Sequence, residues 1–305
     1  MDLIKTDHSL SLSTPFDPLL LSTKTESHVV SGNKRKYKRF GTTPDYKTGI
    51  ATGYSVGCNL RCNFCWASET RDKPDEPFKF YSPDEVFDIL YEIVQRNRSI
   101  DKMRISDGEP TLGRDHLLEL VEYCERSNCK QFVIETNGII LGSDKDFVKE
   151  LSKFKKIYVR LSLKAGSPEM FRLKTGAVED SFYLPFEGIK NLSEYNICFT
   201  ISAMSADPRF MSPLERVALI VELGKVNPEL VLNLEEEMVI LFPTAKKRIN
   251  KYLDLYNNNL EAPLFLRKLF GNYLQVSYPC IKTLFKQKIS VSHTVKNIIQ
   301  LIHGI

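Results

Sequence analysis

The sequence predicts an α/β protein in which six parallel β-strands alternate with helices. Three observations support this fold class. Strand-like and helix-like runs alternate from about residue 49 to about residue 258, which requires a parallel sheet with helical crossovers. Polar residues recur at every second position of most predicted strands, so one face of the sheet is polar and the other apolar. Six β/α units are too few for a closed eight-stranded barrel.

The composition is that of an ordinary globular protein. The chain has 305 residues, of which 42% are hydrophobic and 26% charged, enough to bury a sizeable core. No apolar run approaches a membrane span, and the polar N-terminal residues do not form a signal peptide. Seven cysteines without a secretion signal predict a reducing, cytoplasmic location. We expect one main domain with appendages rather than two equal domains.

The first 46 residues lack sustained periodicity and predict an irregular leader. They contain a basic run with an interleaved aromatic residue at 34–39. Such a run can contact RNA phosphates and bases, but more often it is a solvated arm. The predicted domains are therefore a leader at 1–46, an α/β core at 47–258 and a C-terminal extension, expected to be helical, at 259–305.

The elements of the core follow from β-propensity and from helix start signals. Ser82 and Ser212 each begin a capping box with proline at the first helical position. After Ser82, apolar residues at helical spacing predict a face that packs on the sheet. The first strand feeds a cysteine-rich loop. The predicted strands lie near 49–56, 102–106, 131–136, 157–163, 197–204 and 230–238.

Polar residues at alternate positions of five predicted strands indicate whether the space enclosed by the sheet is polar or apolar. They are Arg104 and Ser106; Glu135 and Asn137; Arg160, Ser162 and Lys164; Thr200 and Ser202; and Asn233, Glu235 and Glu237. Strands buried on both faces are usually almost continuously apolar, so these rows indicate a wet, charged cavity. Charges near the C-terminal ends of barrel strands predict a functional site, with a plain water-filled lumen as the alternative. The candidates for catalysis or substrate binding are Glu135, Arg160, Glu235 and Glu237.

Three cysteines follow the first predicted strand with the spacing C-x3-C-x2-C. They are Cys58, Cys62 and Cys65. Thiolates are the usual ligands of iron–sulfur clusters, and a [4Fe-4S] cluster normally takes four of them, so three leave one iron open to a small molecule. A thioredoxin-like pair would leave Cys58 without a role. Structural zinc would need a fourth ligand, and His28 and His116 make no recognisable ligand pair with the loop.

This loop, with Phe64 just before its last cysteine, resembles the cluster loop of the radical S-adenosylmethionine (radical SAM) superfamily. The resemblance covers about two-thirds of the chain and implies a six-stranded partial barrel. It implies that Cys58, Cys62 and Cys65 bind three irons of a [4Fe-4S] cluster while SAM chelates the fourth. The reduced cluster would cleave SAM to methionine and a 5′-deoxyadenosyl radical, which would take hydrogen from a substrate. An electron donor such as flavodoxin or ferredoxin is implied, and an oxygen-labile cluster favours an anaerobic host.

Further segments resemble SAM-binding motifs of the superfamily. Residues 107–110 look like its Gly-Gly-Glu-Pro motif, whose backbone contacts the SAM amino group, with Asp107 in place of the first glycine. The ends of the third and fourth strands resemble those of glycyl-radical-enzyme activases, with Ser162 in place of an aspartate. We expect Ser162 and Lys164 at the SAM carboxylate. The full predicted SAM set is Phe64, Ser106, Asp107, Gly108, Glu109, Pro110, Asn137, Ser162, Lys164, Thr200, Ser202 and Met204.

The resemblance leaves several functions open. Trp66 follows the last cysteine, as in tRNA wyosine-base synthases and some archaeal relatives. An RNA-modifying enzyme would use the basic run and bind with a steep salt dependence. An activase would abstract hydrogen from a glycine of a partner enzyme. A small-molecule enzyme akin to the molybdopterin-precursor cyclase would need neither, although the chain lacks that enzyme's dense C-terminal cysteine array. A non-catalytic iron–sulfur or SAM-binding protein would leave SAM intact.

Overall fold

The computed structural model describes residues 14–67 and 69–257. The predicted C-terminal extension at 259–305 lies outside the described residues. The α-helices are α1 (Pro18–Val29), α2 (Glu69–Asp72), α3 (Pro83–Arg96), α4 (Arg114–Arg126), α5 (Ile139–Ser143), α6 (Lys145–Leu151), α7 (Pro168–Thr175), α8 (Leu184–Glu194), α9 (Pro213–Val226), α10 (Pro228–Leu232) and α11 (Pro243–Asn257). The strands are β1 (Val30–Ser31), β2 (Lys34–Thr43), β3 (Ile50–Ser55), β4 (Lys79–Tyr81), β5 (Lys102–Ser106), β6 (Gln131–Thr136), β7 (Ile157–Leu163), β8 (Phe199–Ala203) and β9 (Glu235–Glu236).

The described strands form one sheet whose main part is parallel. The strand order is β1-β2-β3-β5-β6-β7-β8-β9, and β4 pairs with β2. The strands from β3 to β9 along this order are parallel, whereas β1, β2 and β4 are antiparallel additions at one end. β1 and β9 do not pair with each other, so the sheet is not closed into a barrel. The predicted α/β class with six parallel strands is confirmed.

Strand β7 shows how the sheet separates a core face from a lumen face. Its residues alternate regularly between buried and half-buried positions. The buried set is Ile157, Val159, Leu161 and Leu163. The intervening residues include Arg160 and Ser162, which share the polar lumen face, as the period of two predicts.

The sixth predicted strand is incorrect over its first half. Residues 230–232 belong to α10, and only Glu235–Glu236 pair with β8. The Asn227 side chain accepts a hydrogen bond from the backbone N–H of Glu229 at 2.9 Å, and Pro228 occupies the first helical position. These helix start signals override the β-propensity of the apolar run that follows.

The described part of the leader, residues 14–46, is not irregular, contrary to the prediction. The Asp17 carboxylate caps α1 by accepting a hydrogen bond from the N–H of Leu19 at 2.8 Å. The chain then forms β1 and the ten-residue β2, which pairs antiparallel with β3. This segment therefore belongs to the sheet because it pairs with β3. The sequence does not predict this pairing, because the segment has no periodic pattern.

The middle of the basic run is buried, so a solvated arm is incorrect for it. Arg35, Lys36 and Tyr37 are all buried. The Arg35 guanidinium donates to the carbonyl of Glu109 at 3.0 Å, and the Lys36 ammonium donates to the carbonyl of Pro74 at 2.9 Å. Backbone acceptors thus compensate the Lys36 ammonium and part of the Arg35 guanidinium, whose Nη1 has no hydrogen-bond partner among the described residues.

The two predicted capping boxes differ in how completely they form. At α3 the Glu85 carboxylate accepts from the N–H of Ser82 at 2.8 Å, as predicted. At α9 the Ser212 hydroxyl accepts from the N–H of Glu215 at 3.2 Å, but the Glu215 carboxylate does not return to it. Instead it forms a fully buried ion pair with Lys174 at 2.6 Å, because α7 brings an ammonium within reach.

Every described helix is too short or too polar to span a membrane.

Replacement of two helical glycines by alanine tests how closely α5 packs against the start of α8. A Cβ on Gly142 of α5 would overlap the backbone of Leu184, where α8 begins, so we expect Gly142→Ala to lower the free energy of unfolding by about 3 kcal/mol. Gly224 of α9 is the matched control, because its nearest neighbour would lie 3.8 Å away. Gly224→Ala should raise the free energy of unfolding by up to about 1 kcal/mol through helix propensity. Urea unfolding measures both, and equal stabilities would contradict the packing.

Candidate functional site

The cysteine loop, residues 56–67, leaves the C-terminal end of β3 and lies against the end of α7. The backbone N–H of Arg61 donates to the carbonyl of Thr175 at 3.0 Å, and that of Asn63 donates to the carbonyl of Lys174 at 2.9 Å. Both carbonyls belong to the last turn of the helix, where no intrahelical donor is available. The loop satisfies the helix end, and the helix fixes the path of the loop.

The predicted SAM-binding turn at 107–110 lies on the other side of the loop. The N–H of Gly108 donates to the carbonyl of Ser55 at 3.1 Å, and the N–H of Glu109 donates to the carbonyl of Gly57 at 2.8 Å. A Cβ on Gly108 would overlap the carbonyl oxygen of Gly57. Glycine is therefore required for the turn to approach the loop this closely.

Asparagine side chains connect the loop to α1 and to β6. The Asn59 amide donates to the hydroxyl of Ser22 on α1 at 3.0 Å. Asn137, which follows β6, donates to Asn59 Oδ1 at 2.7 Å and lies 4.0 Å from the Cys58 sulfur. Helix α1, which the sequence analysis placed in an irregular leader, thus supports the loop.

The three loop cysteines are free thiols in a protected environment. Cys62 is buried, and Cys58 and Cys65 are half-buried. Burial, followed by the nearby Glu109 carboxylate, raises the pKa of Cys58 to about 12, and burial also raises the pKa of Cys62. Neutral thiols are favoured in the protein alone, whereas a cationic metal centre would stabilise the thiolates.

This donor set fits a cluster better than a single ion. Within residues 14–67 and 69–257, no three Cys, His, Asp or Glu side chains converge on one metal position. Three thiols from one loop, without a fourth protein ligand beside them, match a [4Fe-4S] cluster with one iron left for a small molecule.

Three arginines that sequence reasoning missed bind the carbonyls of the loop cysteines. Arg61 donates to Cys58 at 2.8 Å, Arg71 to Cys62 at 2.7 Å and Arg248 to Cys65 at 2.6 Å. Burial, followed by repulsion from Arg71, lowers the pKa of Arg61 to about 10. Arg61 and Arg71 lie in or near the motif, but no sequence signal connects Arg248 of α11 to it.

The residues predicted at the SAM carboxylate lie together at the end of β7. The Lys164 ammonium donates to the Ser162 hydroxyl at 2.8 Å. Burial raises the pKa of Cys62, and Lys164 is the largest influence that opposes this rise. The positive charge of Lys164 thus favours the thiolate form of Cys62. Together the ammonium and the hydroxyl can bind an anionic group beside the cysteines.

Two hydroxyls of β8 have no hydrogen-bond partner among the described residues. They are Thr200 Oγ1 and Ser202 Oγ. Ser202 is fully buried and lies in register with Ser162 of β7. Buried hydroxyls are normally hydrogen-bonded, so this pair marks a place for a ligand with polar atoms. Met204, the remaining predicted contact on this strand, follows β8 and packs half-buried against the core.

Other residues predicted to contact SAM have side chains that are hydrogen-bonded or buried within the protein itself. The Glu109 carboxylate accepts from the hydroxyls of Thr111 and Thr136, both at 2.7 Å, and from the N–H of Asn137 at 2.9 Å. Its side chain fixes the turn, which leaves the backbone as the part that can meet a ligand. Phe64 and Pro110 are buried in the loop and the turn.

The first polar network of the lumen joins β5, β6 and the β2–β3 turn. Arg104 donates to Glu135 at 2.8 Å and to Asp45 at 2.7 Å. The hydroxyls of Ser106 and Tyr46 also donate to Glu135, at 3.0 Å and 2.9 Å. Asp45 and Tyr46 lie in the turn before β3, and the sequence did not predict their part in this network because the turn carries no motif.

The second network joins β7 to β9 and pairs the three carboxylates of the acidic row with two arginines. Arg160 donates to Glu235 at 2.9 Å and to Glu237 at 2.7 Å. The middle carboxylate, Glu236, pairs with Arg216 at 2.5 Å. The period of two thus predicts correctly that these polar residues share one face of the sheet, but it does not predict which of them form ion pairs.

Asp107 adopts a conformation that glycine would adopt more easily. Its φ is 79°, in the left-handed region, where the similar motif carries glycine. Burial raises the pKa of its carboxyl to about 6, although a hydrogen bond from Thr70 opposes this rise. A folded-state pKa above the unfolded value favours folding at low pH and destabilises the protein as pH rises.

We therefore expect the stability of the wild type to fall relative to Asp107→Asn between pH 4 and pH 7.5. The difference should be on the order of 1 to 2 kcal/mol, because ionisation of the buried carboxyl opposes folding and the amide does not ionise. Urea unfolding at several pH values measures it. Parallel pH profiles for the two proteins would show that Asp107 ionises freely in the folded state.

Comparison with known proteins identifies the family. The model of the radical SAM superfamily matches residues 53–205, half of the chain, including the cysteine loop and the strands from β5 to β8. The protein belongs to the radical SAM superfamily, and it is an enzyme of this class. Members of this family use SAM, in general together with an iron–sulfur cluster.

Relatives of this chain differ in how much of it they match. An uncharacterised protein of Methanocaldococcus jannaschii is 24% identical over 221 residues, covering 70% of this chain and 71% of the relative. A probable GTP 3',8-cyclase of Saccharolobus islandicus is 32% identical over 135 residues, covering 44% of this chain and 40% of the cyclase. Among solved structures, Streptococcus suis SuiB bound to the precursor peptide SuiA has a TM-score of 0.48 and 22% identity, with 72% of this chain and 49% of SuiB covered. The match thus spans less than half the length of the cyclase and of SuiB.

Proposed function

We propose that this enzyme cleaves SAM reductively at a [4Fe-4S] cluster bound by Cys58, Cys62 and Cys65. The observation that carries the proposal is a loop with three free thiols, together with an ammonium at the end of β7 and two buried hydroxyls of β8 that have no hydrogen-bond partner among the described residues. When bound, the reduced cluster supplies one electron to SAM, which yields methionine and the 5′-deoxyadenosyl radical that takes hydrogen from a substrate. The electron would come from a donor such as flavodoxin or ferredoxin.

The chain's own residues would bind and orient SAM around the mouth of the lumen. Lys164 and Ser162 would hold the carboxylate through charge-assisted hydrogen bonds. The backbone of the turn at 107–110 would meet the amino group, because the Glu109 side chain is already saturated. Thr200 and Ser202 would donate to the ribose or adenine, which would satisfy their hydroxyls.

The lumen below these residues would receive part of the substrate and exclude water. Arg104 and Arg160 each join carboxylates from neighbouring elements, so donors and acceptors of both signs are available there. Asp45 and Tyr46 would border this space, because they form hydrogen bonds with Arg104 and Glu135. Exclusion of water and stray hydrogen donors protects a reactive radical.

A small polar molecule is the substrate class that these features support best. An RNA substrate would use the basic run at 34–39, but Arg35 and Lys36 are buried on protein acceptors. The similarity to a probable GTP 3',8-cyclase also supports a small-molecule substrate. Transfer of deuterium from a labelled candidate into 5′-deoxyadenosine would identify the substrate, and transfer from RNA or from a protein glycine would contradict this class.

Replacement of one predicted iron ligand tests the proposal. Cys62→Ala should abolish cleavage of SAM to 5′-deoxyadenosine, because three thiolates are needed to retain the cluster. The assay is anaerobic, with iron- and sulfide-reconstituted protein, dithionite and SAM, and it quantifies 5′-deoxyadenosine by mass spectrometry. Cys198→Ala is the control, since Cys198 is exposed and lies outside the loop. Retained cleavage by Cys62→Ala would refute the assignment.

Replacement of Lys164 tests the SAM carboxylate site. Lys164→Met should raise the dissociation constant of SAM about tenfold, because it removes one charge-assisted hydrogen bond. Isothermal titration of reconstituted protein under anaerobic conditions measures this. The exposed Lys149 of α6 provides the control variant Lys149→Met, which should bind like the wild type. Equal affinities for all three proteins would place the carboxylate elsewhere.

A further inference from the structure

The arginines on the cysteine loop come from three different parts of the chain. Arg61 lies inside the loop, Arg71 belongs to α2, and Arg248 belongs to α11, the last described helix. Arg248 also donates to the carbonyl of Ala67 at 2.5 Å and pairs with Asp72. Asp72 pairs in turn with Arg71 at 2.6 Å. One carboxylate thus links two guanidiniums that hold neighbouring segments of the loop.

These pairings leave positive charge beside the thiols. Arg71 and Arg248 share one carboxylate, so the group retains a net positive charge before Arg61 is included. The Arg71 side chain is 3% exposed and that of Arg248 is 13% exposed, which limits screening by solvent and salt. In contrast, Arg104 and Arg160 of the lumen each meet two carboxylates.

Positive charge of this kind acts differently on the two redox states of an iron–sulfur centre. Reduction adds one negative charge, so a nearby cation stabilises the reduced state and raises the reduction potential. Hydrogen bonds to the loop backbone have a separate effect, because they hold the cysteines in place whatever the charge of the donor. A lysine at position 248 would retain the charge but could not form the same fork of hydrogen bonds.

We propose that Arg248 is a positioning residue that raises the reduction potential of the cluster and helps to retain the cluster by bracing the loop at Cys65. This inference rests on the proposed function, since it requires a cluster on the three cysteines. It assigns α11, which lies outside the family-matched segment 53–205, a part in the redox chemistry. Arg61 and Arg71 support the same loop from within that segment.

The test compares Arg248→Gln with Arg248→Lys in reconstituted, full-length protein. Potentiometric titration followed by electron paramagnetic resonance gives the midpoint potential, and iron release to a chelator gives cluster retention. Arg248→Gln should shift the reduction equilibrium about tenfold against the reduced state, which is about 59 mV for a one-electron couple. Arg248→Lys should keep the wild-type potential, but both variants should release iron several-fold faster. Arg114→Gln is the control, because Arg114 pairs with Asp144 and Glu150 away from the loop.

The possible outcomes distinguish the inference about Arg248 from the proposed function. An Arg248→Gln potential equal to those of the wild type and Arg114→Gln would overturn the inference while leaving the proposed function intact. Equal shifts in the Gln and Lys variants would show a structural effect alone and would also overturn it. If Arg248→Gln does not fold, as judged by circular dichroism, faster iron release at unchanged potential in Arg248→Lys supports the inference, and wild-type release refutes it. A wild-type chain that takes up no cluster would refute the proposed function and the inference together.

Discussion

The close approach between the ends of β3 and β5 determines where the whole site lies. Gly108 can lie against Gly57 because it has no Cβ, and two backbone hydrogen bonds then join the turn to the last residue of β3 and to the start of the cysteine loop. The Glu109 carboxylate extends this arrangement to Thr136 and Asn137 at the end of β6. Hydrogen bonds therefore connect the cysteine loop, the turn at 107–110 and the end of β6. A displacement of any one of them would move the others.

Charge is distributed unevenly between the lumen and the cysteine loop. In the lumen, each arginine is matched by carboxylates from neighbouring elements, as with Arg104 and Glu135. Such partly buried pairs add little net stability, because desolvation offsets their attraction, but they fix the spacing of the strands that carry them. Around the cysteines, guanidiniums outnumber carboxylates. The polar face of the strands thus carries more carboxylates than arginines, whereas the thiols lie in a cationic environment.

Local patterns of the sequence predict most helices and strands. Contacts between residues far apart in the sequence determine the features that were predicted wrongly or missed. The period-two alternation of β7 and the cap at Ser82 are short-range signals, and the structure confirms both. The burial of Lys36 depends on carbonyls about forty positions away, and the diversion of Glu215 depends on Lys174 in another helix. Arg248 contacts a loop more than 180 positions earlier. No window of neighbouring residues contains such information, so these parts of the site could not be predicted.

The hydrogen-bond chain from Ser22 through Asn59 to Asn137 has a consequence for how the molecule opens. Helices that unfold separately from the core exchange their amide protons early. Here α1 is bonded to the cysteine loop, and the loop is bonded to the end of a central strand. Opening of α1 breaks contacts that also order the loop, so helix, loop and strand end form one cooperative unit. The amide protection of α1 therefore reports on the integrity of a loop some thirty residues further along the chain.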